Sequence, residues 1–351
     1  MRKIFNKLYS LSFEITDFEK SIQDFYLRWE NQSHFSFKTS GSTGEPKMIQ
    51  FSKEEIIESA NRTNTFFSTS PEDFALLCLP IDFVGGAMVL IRAIIGNYSV
   101  ILLDPKENLI NDLKSLSSPI HIASFLPNQW HYLSQNKELL EKVFIHAKGV
   151  IIGGAGFPDH LIASTKKLDF PVYSSYGMTE TISHIALRMI SPDYSDYYQV
   201  LPKIIIRSNK DQTLKIKLQN TKKWISTNDL VKFKSDKLFK ILGRKDFIIN
   251  SGGLKIDPKN LENILNQILN QNNLSILYFF YPKKDLKYGE VIGLALEINK
   301  DKTIENIILE GFKSKLENKY LPKEIIYIEK FQRTWNGKIN IPQTLELYVK
   351  N

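Results

Sequence analysis

Short, uninterrupted apolar segments recur through the first half of the sequence, and they limit the possible folds more than any other feature. A strand that is apolar at every position is typical of a sheet covered on both faces, and such sheets are parallel with helices between their strands. Helices predicted over residues 54–67 and 86–94 fit that alternation. We therefore predict an α/β fold with a mostly parallel sheet. Its predicted strands are 74–79, 100–103, 120–125, 149–152 and 172–174.

Two different patterns follow downstream. Short alternating segments between residues 197 and 239 predict antiparallel strands, which we assign to a β-rich subdomain of a large N-terminal domain. From Gly243 onward, a glycine-containing hairpin with mixed helices and strands predicts a small α+β domain. Because a chain of 351 residues exceeds the size at which one core stops growing, we predict two domains, 1–243 and 244–351. The second has predicted helices at 258–269 and 304–316 and strands at 276–281 and 291–298.

The segment before the first glycine carries a helical pattern. Phe18, Ile22, Phe25 and Trp29 recur at helical spacing. We predict that the first 38 residues form a helical lead-in that covers a core.

Charge and cysteine content exclude several classes of protein. The formal net charge is +8, yet the lysines are scattered rather than grouped in a basic stripe, so we predict no nucleic-acid partner. The single cysteine, Cys78, cannot form an intramolecular disulfide, which is typical of a cytoplasmic protein. The most apolar region, 83–103, is interrupted by Arg92, Asn97 and three glycines, so we predict no membrane span. The sequence does not determine the oligomeric state.

The strongest local motif is a run of small hydroxyl residues and glycines that ends in a lysine. Glycines let the backbone approach a ligand closely, while hydroxyls, amides and a lysine can bind phosphate oxygens. The run is not a Walker A loop, because Pro46 precedes the lysine and Met48 follows it where serine or threonine should hold magnesium. A plain surface loop is the alternative. The residues are Thr39, Ser40, Gly41, Ser42, Thr43, Gly44 and Lys47.

A second motif directly follows the strand predicted at 172–174. In open α/β sheets, ligands bind at the carboxyl ends of the strands, so Tyr176, Thr179 and Glu180 are well placed for a nucleotide. The tyrosine can stack on a base, the threonine can donate to a phosphate, and the glutamate can bind Mg²⁺. A turn with a helix-capping threonine is the alternative.

Three further clusters are weaker when each is taken alone. Small residues after the strand at 149–152 would admit a flat ring, although a tight strand-to-helix turn has the same composition. An aspartate can accept hydrogen bonds from ribose hydroxyls that an arginine shares, although surface ion pairs are more common. A lysine beside a glycine near the C-terminus can reach a site on another domain, or it can be a solvent-exposed turn residue. These clusters are Gly154, Ala155 and Gly156; Asp229 and Arg244; and Lys338.

Taken in order, the five motifs resemble those of the acyl-CoA synthetase, nonribosomal-peptide adenylation and luciferase superfamily, over roughly residues 37–339. The resemblance implies an adenylate-forming fold with a mobile C-terminal domain. It also implies an AMP-forming acid–thiol ligase, in which a carboxylate attacks the α-phosphate of ATP, pyrophosphate leaves, and coenzyme A then attacks the acyl-adenylate. ATP, Mg²⁺, coenzyme A and a small carboxylic acid are the implied cofactors and partners.

The resemblance further implies a role for each motif. Glu180 would hold Mg²⁺, and Lys338 would bridge the substrate carboxylate and the α-phosphate. The C-terminal domain would rotate about a hinge at Asp246, bringing either Lys338 or the hairpin at 251–253 to the site. The loop from Thr39 to Lys47 would hold the β- and γ-phosphates of ATP, and Thr179 would contact the α-phosphate. Adenine would lie between Tyr176 and the turn formed by Gly154, Ala155 and Gly156. Asp229 and Arg244 would hold the ribose.

Three features depart from the family pattern. Only 38 residues precede the phosphate loop, whereas typical members carry a long N-terminal subdomain there. Asn228 replaces the usual glycine before the ribose aspartate, and asparagine can still take a left-handed conformation. Ile81, Asp82 and Phe83 stand where many members place a histidine near the acyl pocket.

The segment after Tyr176 also resembles the short bacterial o-succinylbenzoate–CoA ligases of menaquinone biosynthesis. We therefore expect o-succinylbenzoate as the acid. Another aryl- or short-acyl-CoA ligase, or a stand-alone adenylation domain that loads a carrier protein, is the alternative. From a different class, a catalytically silent nucleotide-binding protein would be expected to lack Lys338 or Glu180, and both are present. Candidate contacts for the distal carboxylate are Arg92, Ser183, His184 and Arg188, of which the last three also fit a helix face turned to solvent.

Overall fold

The computed structural model describes residues 2–5, 8–10, 14–38, 47–157, 159–219, 221, 223–245, 248–334 and 339–350. Within these ranges the chain forms a large mixed sheet, a smaller sheet and a two-stranded ribbon. The strands are β1 (Arg2–Phe5), β2 (Leu8–Ser10), β3 (His34–Lys38), β4 (Met48–Ser52), β5 (Phe74–Leu77), β6 (Ser99–Leu102), β7 (Ile122–Phe125), β8 (Gly149–Ile152), β9 (Val172–Met178), β10 (Ser183–Ser191), β11 (Tyr198–Val200), β12 (Ile204–Ser208), β13 (Thr213–Leu218), β14 (Ile225–Phe233), β15 (Leu238–Arg244), β16 (Ile249–Ser251), β17 (Leu254–Ile256), β18 (Tyr278–Asp285), β19 (Gly289–Leu296) and β20 (Glu324–Tyr327).

Helices lie between and after these strands. None in the described ranges has the length and apolar composition needed to cross a membrane. The helices are α1 (Asp17–Asn31), α2 (Lys53–Phe66), α3 (Val84–Gly96), α4 (Ile110–Lys114), α5 (Pro127–Leu133), α6 (Lys137–Val143), α7 (Asp159–Thr165), α8 (Pro258–Gln271), α9 (Lys302–Lys315) and α10 (Ile341–Lys350).

The predicted parallel sheet is confirmed. Strands β2, β6, β5, β7, β8 and β9 run parallel in that spatial order. Because side chains alternate across a strand, successive residues enter different cores. Leu77 and Leu102 belong to the core on one side, and Leu76 and Ile101 belong to the core on the other. Two covered faces explain why these strands are apolar throughout.

The N-terminal prediction is only partly correct. Helix α1 buries Ile22, Phe25 and Trp29 as its spacing indicates. Strands β1 and β2 precede it, however, and β3 follows it, so a helical lead-in over 38 residues is wrong. Strand β2 pairs in parallel with β6, far away in the chain. Such short strands are stabilised by this distant partner, and their own sequence carries too few residues to show an alternation.

The predicted β-rich subdomain continues the same sheet. From β9 onward the neighbours are antiparallel, in the order β10, β11, β15, β14, β13 and β12. Strand β10 contains Ser183, His184 and Arg188, so the alternative of a helix face for these residues is wrong. Asn228 lies in β14 and is not among the described residues with a positive φ, so the expected left-handed conformation is absent there.

The C-terminal elements form a separate α+β unit, as predicted. Strands β17, β16, β19 and β18 are antiparallel neighbours, and β20 joins β19 in parallel. The turn between β16 and β17 consists of Gly252 and Gly253, whose φ values of 56° and 86° suit a two-residue primed turn. Strand β15 of the large sheet ends at Arg244, and Ile249 begins the smaller sheet. Asp246 lies outside the described residues, and the exact domain boundary stays a prediction.

Candidate active site

A cleft of about 1990 Å³ opens at the carboxyl ends of the parallel strands, which we call the carboxyl edge. Residues of the C-terminal unit, including Lys259 and Arg333, also line it. Most motif residues predicted from the sequence meet here. Those that line the cleft are Lys47, Arg92, Gly154, Ala155, Gly156, Tyr176, Thr179, Glu180, Ser183, His184, Asp229 and Arg244. Thr39, Ser40, Gly41, Ser42, Thr43, Gly44, Asp246 and Lys338 lie outside the described residues.

Asp229 is the centre of a small polar network. The pairing of β14 with β15 places Asp229 directly opposite Arg244. The distance between Nη1 of Arg244 and Oδ1 of Asp229 is 3.6 Å. The Oη of Tyr176 donates to its Oδ2 at 2.6 Å. Burial, followed by the charge of Asp229, raises the pKa of Tyr176, so the phenol keeps its proton and acts as the donor. The carboxylate is thus held in one orientation at the wall of the cleft.

The ring of Tyr176 is fixed by aromatic neighbours. Its edge contacts with Phe239 and Tyr198 have centroid distances of 5.5 and 6.0 Å. Tyr198 and Phe239 stack on each other at 5.6 Å. A ring held this way offers a rigid surface for a flat ligand in the cleft.

The turn after β8 favours glycine at two positions for different reasons. A Cβ at Gly153 would lie 2.1 Å from Ser175 Oγ, so any larger residue would displace that hydroxyl from its place against β8. Gly154 has a φ of 82°, which favours glycine for conformational reasons. A Cβ at Gly156 would meet nothing within 4 Å. The turn therefore leaves open space at this wall of the cleft.

The connection from β9 to β10 is tightly constrained. Ile182 and Ser183 have φ values of 53° and 78°, a left-handed conformation that is rare for β-branched residues such as isoleucine. The Oγ of Ser59 on α2 donates to the carbonyl oxygen of Ile182 at 2.6 Å. A Cβ at Gly177 would lie only 2.3 Å from the carbonyl oxygen of Ser183. Strain held by surrounding contacts is typical of functional sites.

Within this connection, Thr179 and Glu180 differ in exposure. Thr179 is 8% exposed, whereas Glu180 is exposed and lines the cleft. In the described part of the chain no cluster of three or more His, Cys, Asp or Glu side chains could hold a metal. Mg²⁺ commonly uses one or two carboxylates together with waters and substrate phosphates. The exposed carboxylate of Glu180 in the cleft fits a magnesium ion of that kind.

The candidate contacts for a distal carboxylate separate into two groups. Arg92 Nη2 donates to Ser183 Oγ at 3.0 Å. His184 Nε2 lies 3.0 Å from Thr63 Oγ1, and burial lowers its pKa well below the ordinary value, helped by the charges of two arginines. Arg188 instead places its guanidinium 5.2 Å from the ring centre of Tyr198, and it is not among the described residues that line the cleft. Because Tyr198 itself lines the cleft, a role of Arg188 toward the acid stays a prediction.

The sequence did not single out the polar face of α2. Ser59, Arg62 and Thr63 are buried on this helix together with Ile56 and Ala60. Polar residues three and four positions apart within a buried stripe were the available signal. Their partners on α3 and β10 are distant in the chain, so the signal did not show which residues they meet.

The fold and the cleft define a nucleotide-binding α/β protein, with an aromatic ring, a fixed carboxylate and a glycine turn at the carboxyl edge of its sheet. The chain belongs to the AMP-binding enzyme family, whose model matches residues 33–225.

Similar proteins carry more specific names. The chain is 24% identical to the 2-succinylbenzoate–CoA ligase of Haemophilus influenzae, with 77% of this chain and 61% of that protein covered. It thus spans about three fifths of that relative's length. An acyl-CoA synthetase (AMP-forming)/AMP-acid ligase II-like protein from Dyadobacter fermentans is 28% identical, with 96% of both chains covered and a TM-score of 0.61. The o-succinylbenzoate coenzyme A synthetase from Bacillus subtilis, solved with ATP and magnesium, has a similar fold, with a TM-score of 0.73. The two sequences are 20% identical, and the match covers 88% of this chain and 69% of that one.

Proposed function

We propose that this protein is an AMP-forming acid–CoA ligase that activates its acid as an acyl-adenylate. The observation that carries the proposal is the pair of Tyr176 and Asp229, a fixed ring whose hydroxyl donates to a buried carboxylate. Such a pair offers a stacking surface for adenine beside an acceptor for ribose hydroxyls. Membership of the AMP-binding family supports a nucleotide substrate, and the names of the relatives support the reaction type.

In the first half-reaction, a carboxylate oxygen of the acid attacks the α-phosphorus of ATP and pyrophosphate leaves. Thr179 would donate to the α-phosphate from its constrained turn. Glu180 would hold Mg²⁺, which when bound supplies positive charge to the phosphates. Two anions must approach each other, so a cation between them lowers the barrier. We assign that cation to Lys338, on the sequence motif alone.

In the second half-reaction, the sulfur of coenzyme A attacks the carbonyl carbon of the adenylate, its proton passes to solvent, and AMP leaves. We propose that residues 1–243 and 244–351 form two domains that change orientation about Asp246 between the half-reactions. The lining of one cleft by Tyr176 from the large sheet and Arg333 from the C-terminal unit supports a shared site. Coenzyme A and the acid are the expected small-molecule partners.

We propose o-succinylbenzoate as the acid. The names of the relatives support this choice, and so does the presence of Arg92 and Ser183 in the wall of the cleft. The test is ATP–pyrophosphate exchange with a panel of acids that includes o-succinylbenzoate, benzoate and short aliphatic acids, followed by thioester formation after coenzyme A is added. We expect the fastest exchange with o-succinylbenzoate and a thioester only in the presence of coenzyme A.

Other results of this assay would select a different function. Faster exchange with a second acid would make the protein another aryl- or short-acyl-CoA ligase. Exchange without formation of a CoA thioester would favour a stand-alone adenylation domain that loads a carrier protein. Binding of ATP without exchange for any acid would make it a catalytically silent nucleotide-binding protein.

The nucleotide site is tested by Asp229→Ala. Losing a charge-assisted hydrogen bond to ribose costs about 1.5–3 kcal/mol, so we expect the KM for ATP to rise by roughly 10- to 100-fold. Asp196→Ala is the matched control, because this aspartate pairs with Lys240 at 2.9 Å and both side chains are exposed. If both variants leave the KM for ATP unchanged, Asp229 does not bind the ribose.

A further inference from the structure

Two buried hydroxyl groups contact the turn that carries Thr179 and Glu180 between β9 and β10. Ser59 lies on α2, and Thr181 is the last residue of the turn itself. Neither is among the described residues that line the cleft, whereas Thr179 and Glu180 both are. Any effect of these two hydroxyls on a ligand in the cleft therefore passes through the backbone of the turn.

Thr181 closes the turn across its base. Its Oγ1 accepts from the backbone N–H of Met178 at 3.0 Å. Its one proton is shared between the carbonyl oxygens of Ser183, at 2.8 Å, and Met178, at 3.0 Å. Met178 and Ser183 lie directly opposite each other across β9 and β10. A single hydroxyl thus ties together the two strand ends between which Thr179 and Glu180 lie.

Ser59 holds the residue that follows the turn. A serine within a helix often donates to the carbonyl oxygen four residues earlier on the same helix. Ser59 instead donates to the carbonyl oxygen of Ile182 at 2.6 Å, although the two residues are 123 positions apart in the chain. The N–H of Ile182 donates to the carbonyl oxygen of Thr179 at 2.9 Å. Two hydrogen bonds through Ile182 therefore connect α2 with the backbone of Thr179.

Ile182 has a backbone conformation that its own side chain disfavours. Its φ of 53° and ψ of 63° are left-handed, which is rare for a β-branched residue. Such a conformation persists only where the surrounding contacts hold it. The side chain of Ile182 is buried in the core, and its carbonyl oxygen is bound by Ser59. Loss of that hydrogen bond would let the backbone relax and move the turn with it.

Helix α2 is a well-anchored support for this contact. A capping box closes its first turn, because Ser52 Oγ accepts from the N–H of Glu55 at 3.3 Å and Glu55 Oε2 accepts from the N–H of Ser52 at 2.9 Å. One turn after Ser59, Thr63 Oγ1 lies 3.0 Å from Nε2 of His184. The helix thus contacts the start of β10 at two successive points, so the turn is fixed relative to a whole helix.

We infer that Ser59 and Thr181 are positioning residues that hold Thr179 and Glu180 in place for the phosphates and the magnesium ion of the nucleotide; this rests on the proposed ligase function. Glu180 is exposed, so the placement of its carboxylate depends on the backbone of the turn more than on side-chain packing. A displacement of about 1 Å at a reacting centre can lower a rate about 100-fold. The first half-reaction should suffer most, because pyrophosphate is present only in that step.

The main test is Thr181→Val, which keeps the shape of the side chain and removes its hydroxyl. We expect kcat for ATP–pyrophosphate exchange to fall about 10- to 100-fold, with a rise in the Mg²⁺ concentration needed for half-maximal exchange. Thioester formation from supplied o-succinylbenzoyl-adenylate should fall much less. Thr181→Ser keeps the hydroxyl and should restore most of the exchange. Ser59→Ala should act in the same direction by about 10-fold, because Thr181 still closes the turn.

Thr165→Val is the matched control for a merely structural effect. Thr165 on α7 is also buried, its Oγ1 donates to the carbonyl oxygen of Leu161 at 2.6 Å, and it accepts from Nε1 of Trp130 at 2.8 Å. These partners belong to the core on the other face of the sheet. Both valine variants should lower the unfolding midpoint in urea, but only Thr181→Val should change the Mg²⁺ dependence of exchange.

Two outcomes of these assays would overturn the inference. One is an equal change in Mg²⁺ dependence in Thr165→Val and Thr181→Val, including no change in either, because the hydroxyl of Thr181 would then have no specific effect on the turn. The other is an equal loss of both half-reactions in Thr181→Val. In either case, exchange by the wild type would leave the ligase function intact.

Direct binding decides the matter if the wild type shows no exchange with any acid. Calorimetry with ATP at a fixed Mg²⁺ concentration needs neither an acid nor turnover. Weaker binding of ATP to Thr181→Val and Ser59→Ala than to wild type and Thr165→Val would support the inference although the proposed function had failed. Equal binding to wild type and all variants would overturn it, and so would an absence of binding to wild type.

Discussion

The two ends of the parallel strands differ in how completely their buried charged side chains are paired. At the amino ends, which we call the amino edge, Asp73 precedes β5 and is 3% exposed. Its Oδ2 lies 2.7 Å from Nζ of Lys148 and accepts from the backbone N–H of Ser70 at 2.7 Å. His121 accepts from the N–H of Phe74 through Nδ1, 3.9 Å from Asp73. Asp73 and Lys148 thus pair with each other at this edge.

At the carboxyl edge, Asp229 is paired with Arg244 and Tyr176, whereas the buried Arg92 keeps an Nε atom without a hydrogen-bond partner in the described ranges. The difference separates a self-paired cluster from a cluster with an incompletely partnered cation beside the cleft. A self-paired cluster stabilises the loops that it joins. A buried cation without a partner lowers the stability of the fold by itself.

The largest expected effect concerns backbone packing at the two edges. In Gly177→Ala at the carboxyl edge, the added Cβ would meet the backbone of β10 at 2.3 Å, and a paired strand cannot move aside easily. We expect the free energy of unfolding to fall by about 3 kcal/mol, with loss of ATP–pyrophosphate exchange. Gly149→Ala at the amino edge would meet the ring of Phe67 at 2.1 Å, and a side chain can shift.

For Gly149→Ala we therefore expect a smaller loss of about 1–2 kcal/mol with exchange retained. Urea denaturation and the exchange assay measure both quantities. Equal losses of stability and activity in the two variants would contradict the special constraint at the β9–β10 connection.

The second effect concerns the paired cluster. Asp73→Ala leaves Lys148 with the carbonyl oxygen of Ser68 but without its carboxylate partner, and breaking a buried pair costs about 3–5 kcal/mol. Because the side chain of Lys148 is 31% exposed, water offsets part of this cost, and we expect a loss of about 2 kcal/mol. The KM for ATP should not change. Asp196→Ala, from an exposed pair, should cost less than about 1 kcal/mol. A changed KM for ATP in Asp73→Ala would contradict a purely structural role for the amino edge.

The smallest effect is a pH dependence. Burial, then Arg92 and Arg62, depresses the pKa of His184 in the folded protein below its ordinary value of 6.5. The unfolded chain therefore takes up a proton as the pH falls below 6.5 and the folded chain does not. His184 should lower the free energy of unfolding by at most about 1.4 kcal/mol per pH unit in that range. His184→Gln, which keeps a hydrogen-bonding side chain for Thr63, should remove this slope.

His121 at the amino edge provides the comparison for this prediction. Burial lowers its pKa too, but the carboxylate of Asp73 acts in the opposite direction. His121→Gln should therefore change the pH slope of stability less than His184→Gln does. Urea denaturation between pH 5 and about 8 measures both slopes. A larger change in His121→Gln would contradict the assignment of compensated and uncompensated edges.

Much of the site was predictable because its motifs are local. The glycine turn at Gly154, the ring of Tyr176 and the carboxylate of Asp229 each follow or occupy a strand recognisable from its own residues. Their meeting at one cleft follows from parallel strands sharing a carboxyl edge. The direct pairing of Asp229 with Arg244 is set by the register of a hairpin, which the sequence suggested only through the resemblance.

By itself, the sequence determined the α/β class, the buried parallel strands, the α+β C-terminal unit and the motifs at the strand ends, because apolar periodicity and turn chemistry act over a few residues. Only the tertiary structure decided that β1 and β2 extend the sheet and that 183–191 is a strand. It also decided that Arg62 and Arg92 are buried, each with an Nε atom that has no hydrogen-bond partner in the described ranges. Whether a charge is compensated depends on residues from distant parts of the chain, so local sequence cannot specify it.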